Sequence, residues 1–124
     1  MISREAFSKP NFKALAARYP WFAEHVIIYG KDKARIDWTN RVAVKELTRV
    51  LLLHYFGLVW DMPTDRLCPP VLNRLNYVLW IQELLALCPS QSAAGTRRDV
   101  CGIDIGTGSS CIYPLLGVAM HDNW

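Results

Sequence analysis

The pattern of apolar and polar positions predicts a short helix and then a β-hairpin near the start of the chain. Residues 11–18 favour a helix, and Tyr19-Pro20 should end it because the residue before a proline disfavours helical backbone. The runs 26–29 and 34–38 look like two strands on either side of a polar turn. We therefore expect a hairpin with one face covered.

Two longer helices are predicted after the hairpin. Either Thr39 or Asn40 can cap the start of the first, and Gly57 lies where a left-handed C-terminal cap would fall. A proline-punctuated connection leads to the second helix, over about residues 72–87. The apolar side chains that recur at helical spacing are Val44, Leu47, Leu51 and Tyr55 in the first helix and Tyr77, Ile81, Leu84 and Leu85 in the second.

The last third of the chain predicts a strand, a tight turn and a helix. Residues 90–96 are small and polar and form the best linker candidate. Residues 100–105 are mostly apolar, consistent with a buried parallel strand. A Gly-Thr-Gly turn then leads to a helix over residues 109–116, in which Pro114 fits only the first turn or a kink.

Composition narrows the class of protein only slightly. The 124 residues are 52% apolar and 20% charged, an ordinary globular balance. The net charge of +3 permits nucleic-acid binding without arguing for it. The start of the chain lacks the apolar core of a signal peptide, and the apolar run 50–60 is too short to cross a bilayer. We expect a soluble intracellular protein with no membrane partner.

The cysteines are widely spaced and show no Cys-x-x-Cys pair and no matching histidines. We expect reduced core thiols rather than disulfides or zinc ligands, and no metal site. They are Cys68, Cys88, Cys101 and Cys111.

Residues 102–117, GIDIGTGSSCIYPLLG, carry the most chemical information. A strand that leads into Gly106-x-Gly108 and then a helix can cradle a nucleotide, because glycines allow close approach and a helix start presents free N–H groups. Cys111 occupies the place of a dinucleotide site's third glycine. Asp104 would oppose a pyrophosphate but could favour a cationic methionine-type ligand. A tight turn without any ligand is the alternative.

Residues 104–117 resemble the first motif of the methyltransferase-like 16 / ribosomal RNA adenine-N6 methyltransferase family. Residues 70–77, PVLNRLNY, are similar to its Pro-x-Arg-x-Asn-Tyr segment, and residues 10–20 resemble its N-terminal pattern. The resemblance implies an α/β fold. Residues 1–95 would be an RNA-binding helical extension with a β-hairpin, and residues 96–124 the first βα unit of a truncated Rossmann-like class I methyltransferase domain.

The same resemblance implies an enzyme that transfers a methyl group from S-adenosyl-L-methionine to the N6 of a flipped-out adenosine. Its substrate would be structured RNA, either U6 small nuclear RNA or messenger RNA hairpins, in the nucleus. The bacterial relatives suggest an alternative, large-subunit ribosomal RNA in the cytoplasm. A non-catalytic RNA-binding module, or a structural fragment that pairs its exposed strand with a partner, are alternatives from other classes.

The resemblance also implies site residues. Gly106 and Ser110 would contact the cofactor, beside the turn residues Asp104 and Gly108 already singled out from the sequence. Arg74 would face the cofactor's carboxylate, which a guanidinium can pair bidentately. Without the resemblance, Arg74 would be an exposed helix-start residue and Ser110 an ordinary first-turn residue. The residues expected to contact RNA are Lys9, Pro10, Asn11 and Phe12.

Further positively charged and aromatic side chains are weaker RNA candidates. Lys13 and Arg18 could add phosphate contacts, and a basic group in the hairpin is either a contact or a solvated turn. This group is Lys31, Lys33 and Arg35. Four aromatic residues could stack bases, but their spacing favours the core. They are Trp21, Phe22, Trp38 and Trp60.

This sequence departs from the family's pattern at both ends. Residues 1–8 contain no His-x-Arg-Asn segment, and neither the family's acidic residue for the ribose nor its Asn-Pro-Pro-Phe motif occurs before the last residue, Trp124. We therefore expect these 124 residues to be a fragment that is not active alone.

Overall fold

The structure is a computed structural model that describes residues 9–88 and 99–124. The predicted linker over 90–96 and the predicted domain boundary after residue 95 lie outside the described residues. The elements are, in chain order, α1 (Phe12–Arg18), α2 (Pro20–Ala23), β1 (Val26–Tyr29), β2 (Lys33–Ile36), α3 (Arg41–Phe56), α4 (Val71–Leu87) and α5 (Ile112–Met120).

Helix α1 begins and ends where its sequence predicts. The Asn11 side-chain oxygen accepts a hydrogen bond of 3.0 Å from the amide of Ala14, which satisfies one of the free N–H groups of the first turn. The backbone of Tyr19 is extended, with φ −123° and ψ 90°, so the helix stops before Pro20. The hydroxyl of Tyr19 lies 3.2 Å from Nδ1 of His54 and thereby ties this corner to α3.

The predicted hairpin forms, with a shorter second strand. Val26 pairs with Ile36 and Tyr29 with Lys33 in an antiparallel register, and β2 ends at Ile36 rather than at residue 38. Ile36 is buried, whereas Ile28, which lies on the same face, is exposed. The covered face is therefore limited to the end of the hairpin next to α3.

Helix α3 forms the centre of the core. Asn40, rather than Thr39, caps it by accepting hydrogen bonds from Val42 and Ala43, and Gly57 ends it in the left-handed conformation at φ 68°. The buried stripe is wider than predicted, because α2, β2 and the connection after Gly57 all pack on it. It comprises Ala43, Glu46, Leu47, Thr48, Val50, Leu51 and Leu52.

The predicted apolar stripe of α4 is wrong. The buried side chains are Val71, Leu75 and Val78, all in the first half of the helix. Tyr77, Leu84 and Leu85 are exposed and Ile81 is half-buried. The first half contributes to the same buried core as α3 and α5, whereas the side chains of the second half are exposed or half-buried.

The strand predicted over residues 100–105 is not formed. Ile103 is 89% exposed and Ile105 is 96% exposed. A strand needs neighbouring strands to pair its backbone groups. In the described residues, the Val100 amide donates one hydrogen bond of 2.7 Å to the carbonyl of Asn123, in the segment after α5. Pro114 is the third residue of α5, in the first turn as predicted, although α5 begins at Ile112.

The positions of the aromatic residues and cysteines partly correct the sequence predictions. Phe22 and Trp60 are buried and Trp21 is half-buried, but Trp38 is 65% exposed. Three of the four thiols are exposed rather than core residues, namely Cys88, Cys101 and Cys111. Burial raises the pKa of the fourth thiol, Cys68, whose Sγ lies 3.2 Å from the Thr48 hydroxyl.

Two negative findings concern the described part of the chain. Residues 9–88 and 99–124 contain no cluster of three or more His, Cys, Asp or Glu side chains that could hold a metal ion. None of the helices in these ranges is long and apolar enough to span a bilayer.

Candidate functional site

The turn between residue 105 and α5 has two residues in the left-handed conformation. Gly108 has φ 60° and Cys111 has φ 51°. A non-glycine residue pays about 1–2 kcal/mol for this conformation, so the backbone of Cys111 must be held by its surroundings. Gly106 is not left-handed, but a Cβ on Gly106 or Gly108 would meet nothing within 4 Å. Both glycines therefore leave open space beside the backbone.

Trp60 holds the end of this turn. Its indole Nε1 donates a 2.8 Å hydrogen bond to the carbonyl of Ser110, across a separation of 50 residues. The amide of Cys111 donates to the carbonyl of Thr107 over 3.2 Å. A buried indole N–H must find an acceptor, so a polar contact at Trp60 could have been expected from its burial, although its partner could not.

The start of α5 faces the turn without a side-chain cap among the described residues. Its first N–H groups have no partner within the helix and are left for solvent or for a ligand. The adjacent residues, Ser109 and Ser110, lie before Cys111 and outside the helix. Ser110 therefore lies in the glycine turn. Without the family resemblance it was expected in the first turn of the helix, and it is not there.

Beside the turn lies a mostly apolar cavity of about 410 Å³ between α4, α5 and residues 100–104. Asp104 lines it, and the Oδ2 atom of this carboxylate is buried with no hydrogen-bond partner in the described residues. Burying a carboxylate oxygen without a partner is costly, which marks this atom as one that a ligand or water can satisfy. The side chains of Tyr77, Ile81, Tyr113, Val118 and Trp124 also line the cavity.

Arg74 reaches the edge of this cavity through Tyr113. A guanidinium nitrogen of Arg74 donates a 3.0 Å hydrogen bond to the Tyr113 hydroxyl, and the guanidinium carbon lies 5.5 Å from the centre of that ring. The Tyr113 ring in turn lies 5.1 Å from that of Tyr77. Because a guanidinium has five N–H donors, Arg74 keeps donors for an additional anionic partner.

The predicted cofactor residues thus lie near one another, but they do not all line the same cavity. Asp104 lines the cavity, Arg74 contacts the cavity residue Tyr113, and the glycines of the turn lie just before α5 outside the lining. Tyr113 was not singled out from the sequence. Only its place in the CIYP run, one residue before the proline of α5, could have drawn attention to it.

The predicted RNA residues line a separate groove. Lys9, Pro10, Asn11 and Phe12 border an open groove of about 480 Å³ between α1 and the hairpin. Asn11 uses its side-chain oxygen as the α1 cap, so its amide NH₂ remains a donor. Lys13 is engaged instead, with Nζ 2.9 Å from the carbonyl of Lys31 and 3.2 Å from the carboxylate of Asp32.

Comparison with known proteins identifies the family. A family model described as RNA methyltransferase matches residues 2–124. The chain belongs to this RNA methyltransferase family. The resemblance found from the GIDIGTGSSCIYPLLG and PVLNRLNY segments is thereby confirmed.

This chain matches only part of the length of two relatives in the RNA methyltransferase family. It is 43% identical over 120 residues to the U6 small nuclear RNA (adenine-(43)-N(6))-methyltransferase of Dictyostelium discoideum. The matched region covers 95% of this chain and 21% of the relative. The chain is 40% identical over 105 residues to the ribosomal RNA large subunit methyltransferase F of Pseudoalteromonas atlantica, covering 84% of this chain and 32% of the relative. The chain therefore spans about a fifth to a third of these relatives.

Solved structures of a family member have the same fold. The N-terminal domain of human METTL16 in complex with SAH matches with 40% identity and a TM-score of 0.80, over 100% of this chain and 46% of that one. The human METTL16 catalytic domain in complex with MAT2A 3'UTR hairpin 6 matches with 42% identity and a TM-score of 0.78, over 93% of this chain and 38% of that one. The predicted fold class, part of a Rossmann-like α/β methyltransferase domain with a helical extension and a hairpin, is confirmed.

Proposed function

We propose that this member of the RNA methyltransferase family forms part of an S-adenosyl-L-methionine-dependent enzyme. The enzyme would methylate the N6 of adenine in structured RNA. The observation that carries the proposal is the buried, unpartnered Oδ2 of Asp104 in the cavity between α4 and α5. An unsatisfied carboxylate oxygen in an apolar cavity is suited to a cationic ligand group. The glycine turn beside it supplies the space for a ligand to approach the backbone.

The side chains present fit the amino-acid end of such a cofactor, which carries one ammonium and one carboxylate group. Asp104 offers a negative charge to the ammonium, and Arg74 offers free guanidinium donors to the carboxylate. Tyr113 connects the two, because it lines the cavity with Asp104 and accepts a hydrogen bond from Arg74. A structure of human METTL16 is a complex with SAH, which supports the choice of cofactor.

When bound, S-adenosyl-L-methionine supplies an electrophilic methyl group on its sulfonium. The residues of this chain bind and orient. Arg74, held by Tyr113, would pair with the cofactor's carboxylate, and Gly106, with no side chain, would let the cofactor approach the backbone. Gly108 supplies the left-handed turn that leads to the uncapped start of α5, and Ser110 would add a polar contact there.

We assign the RNA to the groove that Lys9, Pro10, Asn11 and Phe12 border, where positive charge and free amide donors would meet phosphates. This corresponds to the division proposed from the sequence, with an RNA-binding extension over residues 1–95 and the cofactor site over 96–124. The Dictyostelium relative is named for U6 small nuclear RNA, and a human structure contains an RNA hairpin. U6 or a messenger RNA hairpin in the nucleus is therefore the proposed substrate.

The test is cofactor binding by the intact protein. Isothermal titration with SAH should give an affinity that falls about tenfold to a hundredfold in Arg74→Ala, since a charge-assisted hydrogen bond contributes roughly 1.5–3 kcal/mol. Tyr113→Phe should weaken binding less, because it removes only the group that holds Arg74. Arg35→Ala, an exposed arginine of β2, is the matched control and should bind as the wild type does. Equal SAH affinity in Arg74→Ala would refute the assignment.

Two other functions are favoured by particular observations. The 40% identity to a large-subunit ribosomal RNA methyltransferase supports a bacterial-type substrate, which methylation assays on ribosomal and U6 RNA would separate. The groove at residues 9–12 supports a non-catalytic RNA-binding module. Salt-sensitive RNA binding without any SAH affinity would favour the module.

A further inference from the structure

Trp38 is an exposed aromatic side chain shared by two cavities. Its indole is 65% exposed and lies between β2 and α3. It lines the groove that Lys9 and Phe12 border, and it also lines a second, smaller cavity of about 170 Å³. The positively charged residues of that second cavity are Arg41, Lys45 and Arg66. A single aromatic residue therefore borders two cavities that are both lined by positively charged residues.

Hydrogen bonds hold the backbone on both sides of Trp38 in the chain. The Asp37 carboxylate accepts hydrogen bonds from the amide of Thr39 at 2.9 Å and from its hydroxyl at 2.7 Å, which closes a tight turn around Trp38. The amide of Asn40 donates to the carbonyl of Asp37 at 3.1 Å, and Asn40 then caps α3. Both neighbours of Trp38 are thus fixed, so a ligand that contacts the ring does not have to order this loop first.

Positive charges in both cavities that Trp38 borders are available to an anion. Within the described residues, Lys9 of the first groove and Arg41 of the second cavity have no ion-pair partner. Lys45, by contrast, lies 2.7 Å from the carboxylate of Asp61. The acid of the first groove, Asp32, is paired with Lys13 and so opposes an anion less.

We propose that Trp38 stacks on a base of an unpaired stretch of the RNA, with Lys9 and Arg41 at the phosphates on either side of that base. An exposed ring flanked by positive charges is the arrangement by which proteins bind single-stranded nucleic acid. The RNA surface then continues from the groove at residues 9–12 across Trp38 to α3. This inference rests on the proposed RNA binding and extends it to a second cavity.

The test compares two RNA probes on the intact protein, a blunt hairpin and the same hairpin with an unpaired flank. Trp38→Ala should weaken binding of the flanked hairpin by roughly 5- to 150-fold, the range for loss of one stacked base. Binding of the blunt hairpin should change less, and Trp38→Phe should recover most of the affinity. Trp80→Ala is the matched control, because Trp80 is 52% exposed on α4 and lines neither cavity.

Two further readouts separate stacking from loss of structure. Arg41→Gln should reduce the salt dependence of binding by about one phosphate contact, whereas Trp38→Ala should leave the salt dependence unchanged. In wild-type protein labelled with 5-fluorotryptophan, the ¹⁹F resonance that Trp38→Phe removes should shift when the flanked hairpin is added.

The results distinguish failure of the RNA-binding proposal from failure of the Trp38 stacking inference. If wild-type protein binds neither probe, the RNA-binding proposal fails and this inference fails with it. If wild-type protein binds the flanked hairpin and Trp38→Ala binds it equally well, the stacking inference alone is overturned, and the surface belongs to another ligand such as a protein. An equal loss in Trp80→Ala, or a Trp38 resonance that does not shift, overturns it as well.

Discussion

The end of the hairpin next to α3 and the segment before the glycine turn both carry isoleucines, but these side chains lie in opposite environments. Ile36 of β2 pairs with Val26 and is buried against the core. Ile103 and Ile105, in a more apolar run, project into solvent with a single strand-like bond beside them. An apolar run thus shows that a segment can be buried, but whether it is buried depends on the neighbours that reach it.

The difference has a functional side. The proposed RNA groove is bordered by α1, which is capped at both ends, and by the hairpin, whose two strands pair along their whole length. The proposed cofactor cavity has one wall, residues 100–104, that the described residues hardly support. Trp60 joins the two regions, because it is buried in the core and bonds to Ser110. We expect the first region to be the more stable of the two, and the predictions below test that.

Truncation of an apolar side chain should have the largest effect, and only in the core. Leu52→Ala should cost about 2–5 kcal/mol of unfolding free energy, because Leu52 is fully buried in α3. Ile105→Ala in the same 124-residue chain should change stability by less than about 0.5 kcal/mol, as for other exposed sites. Urea denaturation measures both. A similar cost for the two variants would break the comparison and show that residue 105 is covered by a partner.

The helix caps offer a second contrast. Asn40→Ala should destabilise the protein by about 1 kcal/mol, because Asn40 accepts two backbone hydrogen bonds at the start of α3. Cys111→Ala is the control, since the Cys111 side chain caps nothing at the start of α5 in the described residues. Thermal melting of the two variants measures this difference. A midpoint that falls as much in Cys111→Ala as in Asn40→Ala would contradict it.

Trp60→Phe should loosen the glycine turn and leave the core intact. It removes the donor to the Ser110 carbonyl, a bond whose net contribution is about 1 kcal/mol. Hydrogen exchange at the amides of residues 111–113 should accelerate several-fold, while exchange within α3 should be unchanged. Acceleration throughout α3 would mean instead that Phe does not fill the place of the indole in the core.

The smallest effect should come from the ion pair between Asp61 and Lys45. The hydrogen bond from Lys45 holds the pKa of Asp61 below its usual value of 3.8. A lowered pKa stabilises the folded state above the unfolded value, and this contribution is lost as the pH falls through the folded value. Asp61→Asn should therefore flatten the acid side of the melting profile, and concentrated salt should reduce the difference between the two proteins. An unchanged acid limb would exclude a contribution from this pair.

Local signals in the sequence were enough to predict much of the fold. The Tyr19-Pro20 pair, the Asn40 cap and the left-handed Gly57 all act on their own helix, and each ends or begins it where predicted. The signals that failed depend on distant residues. The buried face of α4 and the pairing of residues 100–105 depend on what packs against them, and the exposure of Trp38 depends on where β2 ends.

The candidate site divides in the same way. The turn and Asp104 followed from residue chemistry, because glycines and a carboxylate at that spacing favour one class of ligand. Arg74 followed only from the family resemblance, since no local pattern sets a helix-start arginine apart. Tyr113 and the Trp60 bond to Ser110 were missed, as both join segments distant in sequence.

The hydrogen bond between Val100 and Asn123 has a kinetic consequence. It closes a loop of about two dozen residues, a modest entropic cost, and that loop contains the entire glycine turn and α5. It also sets the register in which the segment after α5 returns beside the segment before the turn. Pulsed hydrogen exchange during refolding would show it as early protection of the Val100 amide, ahead of its neighbours in residues 101–105.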